Sequence, residues 1–306
     1  MSAIEQETGA FEVSSPLLRR CVGVNVKIKG FGNRKRAGLE NVTTETDKQM
    51  LHMFKNLVAS PELSRIEKYD RSITAWIESR AIPGARVYRG GIYLIPGDDL
   101  TPVFNKFELE FSPERRALVE LFIEALPGLK IDAQLRLKAD YDPNDYPTDN
   151  EIRARFELVW ETVALGVEQR LRDISNEIAD QEERKAKERW DKMATDVGMA
   201  MRGGLKGLVD HLVTRLEDKE TGGRKRLYAT TITNLTDFLE TFGRRNVLGD
   251  DELQDLATRA QSLIEGVDIE QVKNNDELRS KIREGFQEIQ TNLGPLVDRR
   301  ITFEEE

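Results

Sequence analysis

The chain has little of what most enzymes use for chemistry: one cysteine, two histidines and three tryptophans in 306 residues. The single cysteine, Cys21, excludes an internal disulfide and fits a reducing compartment. His52 and His211 lie far apart in sequence, so a zinc site or a Cys–His dyad has almost no material. Gly222-Gly223-Arg224-Lys225 lacks the spacing and the hydroxyl residue of a phosphate-binding P-loop. No apolar run approaches the roughly 18 residues of a membrane span. The start, Met1-Ser2-Ala3-Ile4-Glu5-Gln6-Glu7, is acidic and has no apolar segment of a signal peptide. These absences predict a soluble, cytoplasmic protein with no catalytic residues and no cofactor. The net charge of −9 also argues against nucleic-acid affinity spread over the whole molecule.

Proline is absent from one long stretch. Nine of the ten prolines fall between Pro16 and Pro147, and the next is Pro295. Proline costs about 3 kcal/mol inside a helix, so this gap predicts helix after helix. The fold class expected is mainly α. A compact α+β domain with a short hairpin or sheet would occupy residues 1–147, and an elongated helical bundle residues 148–306.

In the first half, Val22, Val24, Val26 and Ile28 alternate with smaller or polar residues, the mark of a half-buried strand. A basic, glycine-bearing turn follows at 30–38. Residues 43–59 carry Met50, Met53, Phe54, Leu57 and Val58 at helical spacing and predict a helix; a second starts at Ser60-Pro61. Residues 86–95 are aromatic and β-branched, and predict a strand pairing with 22–29. Helices are expected at 99–111, 113–126 and 129–140.

The second half opens with apolar residues recurring from Ile152 to Leu216. Their spacing, about 3.8 residues, exceeds the roughly 3.5 of a heptad seam and disfavours a simple left-handed coiled coil. It predicts one very long helix, bent or broken at a hinge, Gly203-Gly204, unless another helix packs closely there. Three shorter helices, at 225–242, 250–265 and 275–293, would fold back along it.

Two segments could carry a site. Asp140, Asp142, Asn144, Thr148 and Glu151 occupy oxygen-ligand positions of a calcium-binding EF-hand loop. However, Asp145 stands where that loop needs glycine, and Pro147 where it needs an apolar residue. The favoured reading is a capping box, Thr148-x-x-Glu151, that starts the long helix. The second segment, Arg19 to Gly38, holds seven cations and no acid. Lys27, Lys29, Arg34, Lys35 and Arg36 could touch nucleic acid or an acidic partner; alternatively they are solvated charges guarding a sheet edge. Asp98-Asp99, after Pro96-Gly97, reads as a helix cap.

Arg89-Gly90-Gly91-Ile92-Tyr93-Leu94-Ile95-Pro96, and Asp145-Tyr146-Pro147 leading to Phe156, resemble a phage and bacterial family of unknown function. The strand and basic turn at 22–38 fit its opening, and the resemblance covers roughly residues 20–175. Members are often encoded beside MoxR-type AAA ATPases and von Willebrand A-domain proteins. The resemblance implies a non-catalytic interaction protein in the cytoplasm of a phage-infected host. It would be an accessory or assembly partner of an AAA ATPase; separately, the apolar stripe on charge-rich helices predicts a self-assembling scaffold, a homo-oligomer formed through the long helix. The alternative is a nucleic-acid-binding protein that uses residues 19–38.

Overall fold

The computed structural model describes residues 10–11, 15–38, 45–85, 91–168, 170–218 and 223–299. In chain order the strands are β1 (Ala10–Phe11), β2 (Cys21–Ile28), β3 (Arg34–Ala37), β4 (Met53–Asn56), β5 (Ile92–Pro96), β6 (Leu158–Val163) and β7 (Val167–Glu168). The helices are α1 (Pro16–Arg20), α2 (Pro61–Arg80), α3 (Gly97–Lys106), α4 (Ser112–Leu137), α5 (Asp149–Arg155), α6 (Arg170–Ile174), α7 (Asn176–Leu216), α8 (Ala229–Arg245), α9 (Asp251–Ile264), α10 (Ile269–Asn274) and α11 (Asp276–Asp298). The protein is mainly helical, with its small sheets built largely from the first half, as the composition predicts. β5, β2 and β6 form one sheet in that order, β3 pairs with β4, and β1 with β7. The adjacency of β5 and β2 matches the expected pairing; residues 86–90 of the expected strand lie outside the described residues.

The division into domains follows a different plan from a cut at residue 147. One compact unit comprises Met1–Val24, Arg80–Leu100 and Thr162–Glu306; the other comprises Asn25–Ser79 and Thr101–Glu161.

In the first unit, α7 is packed by α8 and α11, and α9 packs on α8 and α11. Three of these helices, α7, α9 and α11, start where a side-chain oxygen can reach the free N–H groups of the first turn. Ser175 accepts from Ile178, Asp250 from Leu253, and Asn275 from Leu278. Trp190, Val197, Leu205 and Leu212 of α7 meet Leu235 and Phe242 of α8, Ala260 of α9, and Phe286 and Leu293 of α11 in one core. Leu17, Cys21, Ile82 and Leu94 complete that core from far earlier in the chain. Two glycines permit close approach. A Cβ on Gly285 would stand 2.8 Å from the Leu263 side chain, and one on Gly84 (φ +78°) would stand 2.9 Å from the Asp196 carbonyl.

Two expectations about the long helix need correction. It begins at Asn176, not near residue 152. The capping box at Thr148 is present, but it starts only the seven-residue α5. Leu158-Val159-Trp160-Glu161-Thr162-Val163 then forms β6, because β-branched and aromatic residues suit a pleated surface and β2 is there to pair with. The helix is also unbroken at Gly203-Gly204. A Cβ on Gly204 would lie 3.1 Å from the Phe238 ring, so the glycine marks the approach of α8 and not a hinge.

The second unit has its own core. Phe31, Leu57, Val58 and Leu63 pack with Val119, Phe122 and Leu126 of α4, and with Tyr146, Ile152 and Phe156. The helix expected over 43–59 is absent: a short 3-10 turn and β4 take its place. Leu57 and Val58 are buried while Met50 and Phe54 are exposed, so the residues at helical spacing never shared a face. Nor does Pro127 break α4, which continues to Leu137. A π-helical turn, Phe107–Phe111, joins α3 to α4 and sets both phenyl rings edge-on to one another, 5.4 Å apart.

Candidate nucleic-acid interface

The basic segment divides into two groups. Lys27 and Lys29, at the end of β2 and just beyond it, turn to the acids of β6 and its lead-in. Lys27 lies 3.3 Å from Glu161, and Lys29 lies 2.5 Å from Glu157. Hydrogen bonds from Asn25 and Lys27 hold the Glu161 carboxyl below its usual pKa. These two lysines are therefore matched by nearby carboxylates, although both stay more than half exposed.

Arg34, Lys35 and Arg36 form β3, which runs antiparallel to β4 with Arg34 opposite Asn56, Lys35 opposite Lys55, and Arg36 opposite Phe54. Asn33 closes the ribbon. Its side-chain amide donates to the Val58 carbonyl and its oxygen accepts from the Val58 N–H, each at 2.9 Å. Side chains alternate across a strand, so the ribbon has two faces. The inner one carries Lys55, which is ion-paired to Asp145 at 2.7 Å and donates to the Asp140 carbonyl. Tyr146 donates to the Leu57 carbonyl at 2.8 Å, which fixes the strand's end.

The outer face carries Arg34, Arg36, His52, Phe54 and Asn56, all exposed. The Arg34 guanidinium lies over the Phe54 ring, 4.1 Å from its centroid. Phe54 remains 48% exposed, and Arg36 donates to His52 Nδ1 at 3.2 Å. Neither strand contains a carboxylate. This face offers two guanidinium groups, an aromatic plane and an amide within a few residues, the set used to grip phosphates and stack on bases.

His52, Phe54 and Asn56 escape a sequence reading that places residues 43–59 in a helix. The signal available was period two: His52, Phe54 and Asn56 alternate with Met53 and Lys55. The glycine-bearing turn at 30–38 likewise contains β3, whose ribbon partner is β4.

In the acidic segment the side chains serve a turn and a helix cap. Asp142 accepts from the Asn144 N–H at 2.9 Å, and Glu151 accepts from the Thr148 N–H at 2.8 Å and hydroxyl at 2.9 Å. Among the described residues no three His, Cys, Asp or Glu side chains are placed to hold an ion. Asp99, read as a cap, is buried and bonded to Arg244 at 3.0 Å. Burial pushes the Cys21 thiol up to about 12, with Arg20 opposing the shift, so it carries no thiolate at neutral pH. Among the described residues no helix is long and apolar enough to cross a membrane.

No protein-family model, curated protein or solved structure matches the chain.

Proposed function

We propose that this chain is a non-catalytic binding protein and that the outer face of the β3–β4 ribbon is a nucleic-acid contact. The observation that carries this reading is the convergence of Arg34, Arg36, His52, Phe54 and Asn56 on one exposed face with no acid on either strand. A two-stranded ribbon is narrow enough to enter a major groove, and Phe54 can stack on an unpaired base. With two or three cations available, the contact is modest: the log–log salt slope is about −2 to −3.

A protein-assembly reading has its own support. The outward side of α4 shows Ile131 at 63% exposure and Leu135 at 71%, one turn apart, with Leu121 on the same side of the helix. An apolar stripe of this kind suits a self-assembling scaffold of a phage or mobile element, or an accessory subunit of an AAA ATPase, the partner the resemblance implies.

Fluorescence anisotropy with labelled oligonucleotides of about 20 bases, single- and double-stranded, in about 50 and 200 mM salt, decides between the two. The expected result is binding that weakens with salt and falls at least tenfold in R34A/R36A, with unchanged circular dichroism. No binding by the wild-type protein at the lower salt overturns the nucleic-acid contact in favour of the protein-assembly reading.

A further inference from the structure

Within the first unit, a cavity of about 300 Å³ lies between α7, the turn after α8, and the first turn of α9. Val197, Met201, Leu248 and Leu253 give it apolar walls. Three arginines also line it, and two of them are engaged. Arg202 is bonded to Asp250 at 2.7 Å and to the Leu296 carbonyl at 2.8 Å; Arg299 is bonded to Glu252 at 2.9 Å.

Arg245 is different. Its guanidinium donates to no acceptor among the described residues, although a guanidinium carries five N–H groups. Burial holds its pKa below the ordinary arginine value, and the neighbouring Arg80 and Arg244 push the same way. Asp99 favours the charge but is already bonded to Arg244, and of the acids that line the cavity Asp250 is bonded to Arg202 and Glu252 to Arg299. A half-buried guanidinium with no acceptor among the described residues and further cations beside it keeps its donors free for an anion that enters the cavity.

We infer that this cavity binds a small organic monoanion, a carboxylate on an apolar body, with the carboxylate on Arg245 and the body against Met201, Leu248 and Leu253. The planar guanidinium suits a bidentate carboxylate. A multiply charged phosphate fits less well, because Asp251 and Glu252 also line the cavity and repel a second negative charge. At about 30 Å³ per water-sized group, the space holds on the order of ten heavy atoms, the size of octanoate.

Isothermal titration of the full chain with octanoate, octanol and inorganic phosphate tests the assignment. Expected are saturable octanoate binding at or below about 1 mM, a loss of at least tenfold in R245Q, and octanol binding that is weaker and insensitive to R245Q. L248W fills the apolar side, keeps the arginine and also abolishes octanoate binding, so the test stands even if R245Q fails to fold. The inference is overturned by wild-type protein that does not bind octanoate, by R245Q or L248W that binds it as tightly, or by phosphate that binds as well as octanoate.

Discussion

Arg115 lies at 2% exposure inside the second unit, on the core-facing side of α4 with Val119, Phe122 and Leu126. Two of its nitrogens clamp the Asp70 carboxylate at 2.6 and 3.0 Å, and it donates to the carbonyls of Phe156 (2.7 Å) and Lys29 (2.6 Å). One side chain therefore ties α2, α4 and the two ends flanking β2 and β6. R115M keeps most of the volume but leaves Asp70 and two carbonyls without their donor. Removing one partner of a buried pair costs about 3–5 kcal/mol, which urea denaturation at neutral pH will register; adding D70N recovers part of the loss. The sequence held the clue, since a charge at 115 interrupts a stripe otherwise apolar at 119, 122 and 126. Basic clusters such as Arg34-Lys35-Arg36 draw attention by density, whereas a lone buried arginine is betrayed only by its phase on a helix.

At the scale of elements, α7 separates two roles that glycine plays in a helix. Gly203 is exposed and a Cβ there meets nothing within 4 Å; Gly204 faces Phe238. G203A should stabilise the protein by up to about 1 kcal/mol through helix propensity alone. G204A gains the same propensity but must displace the Phe238 ring, so its melting temperature falls below that of G203A. Calorimetry of the two variants measures the difference, and equal midpoints would contradict close packing at Gly204. Helices α9 and α11 were legible because capping residues stand ahead of apolar stripes, and α8 by its stripe alone. β4 and β6 were hidden because short runs such as Met53–Asn56 satisfy helical spacing by chance. Their strand state is decided by partners distant in sequence, Arg34–Ala37 for β4 and β2 for β6, which no local pattern reveals.

At the scale of the molecule, the proline gap suggested that residues 148–306 form a domain, yet the first unit draws Leu17, Cys21, Ile82 and Leu94 into its core. A fragment of residues 148–306 lacks all four. Losing a large buried apolar side chain costs about 2–5 kcal/mol, so the fragment forfeits more than a domain's usual margin. It should keep helical circular dichroism, bind a hydrophobic dye and melt without cooperativity, whereas the full chain melts cooperatively. A cooperative melt of the fragment would show that the early segments are dispensable.

The interleaving of the two units also sets an order in time. Translation proceeds at about 5–20 residues per second, and domains tend to fold as their residues emerge. Asn25–Glu161 holds every residue of the second unit, which can close while synthesis continues. Leu17 and Cys21, made before the second unit, must wait until α7 has been made before Trp190 and Val197 exist to join the same core. This segment thus waits for partners on α7 while the whole second unit is made, and it spends that interval as uncovered apolar sequence.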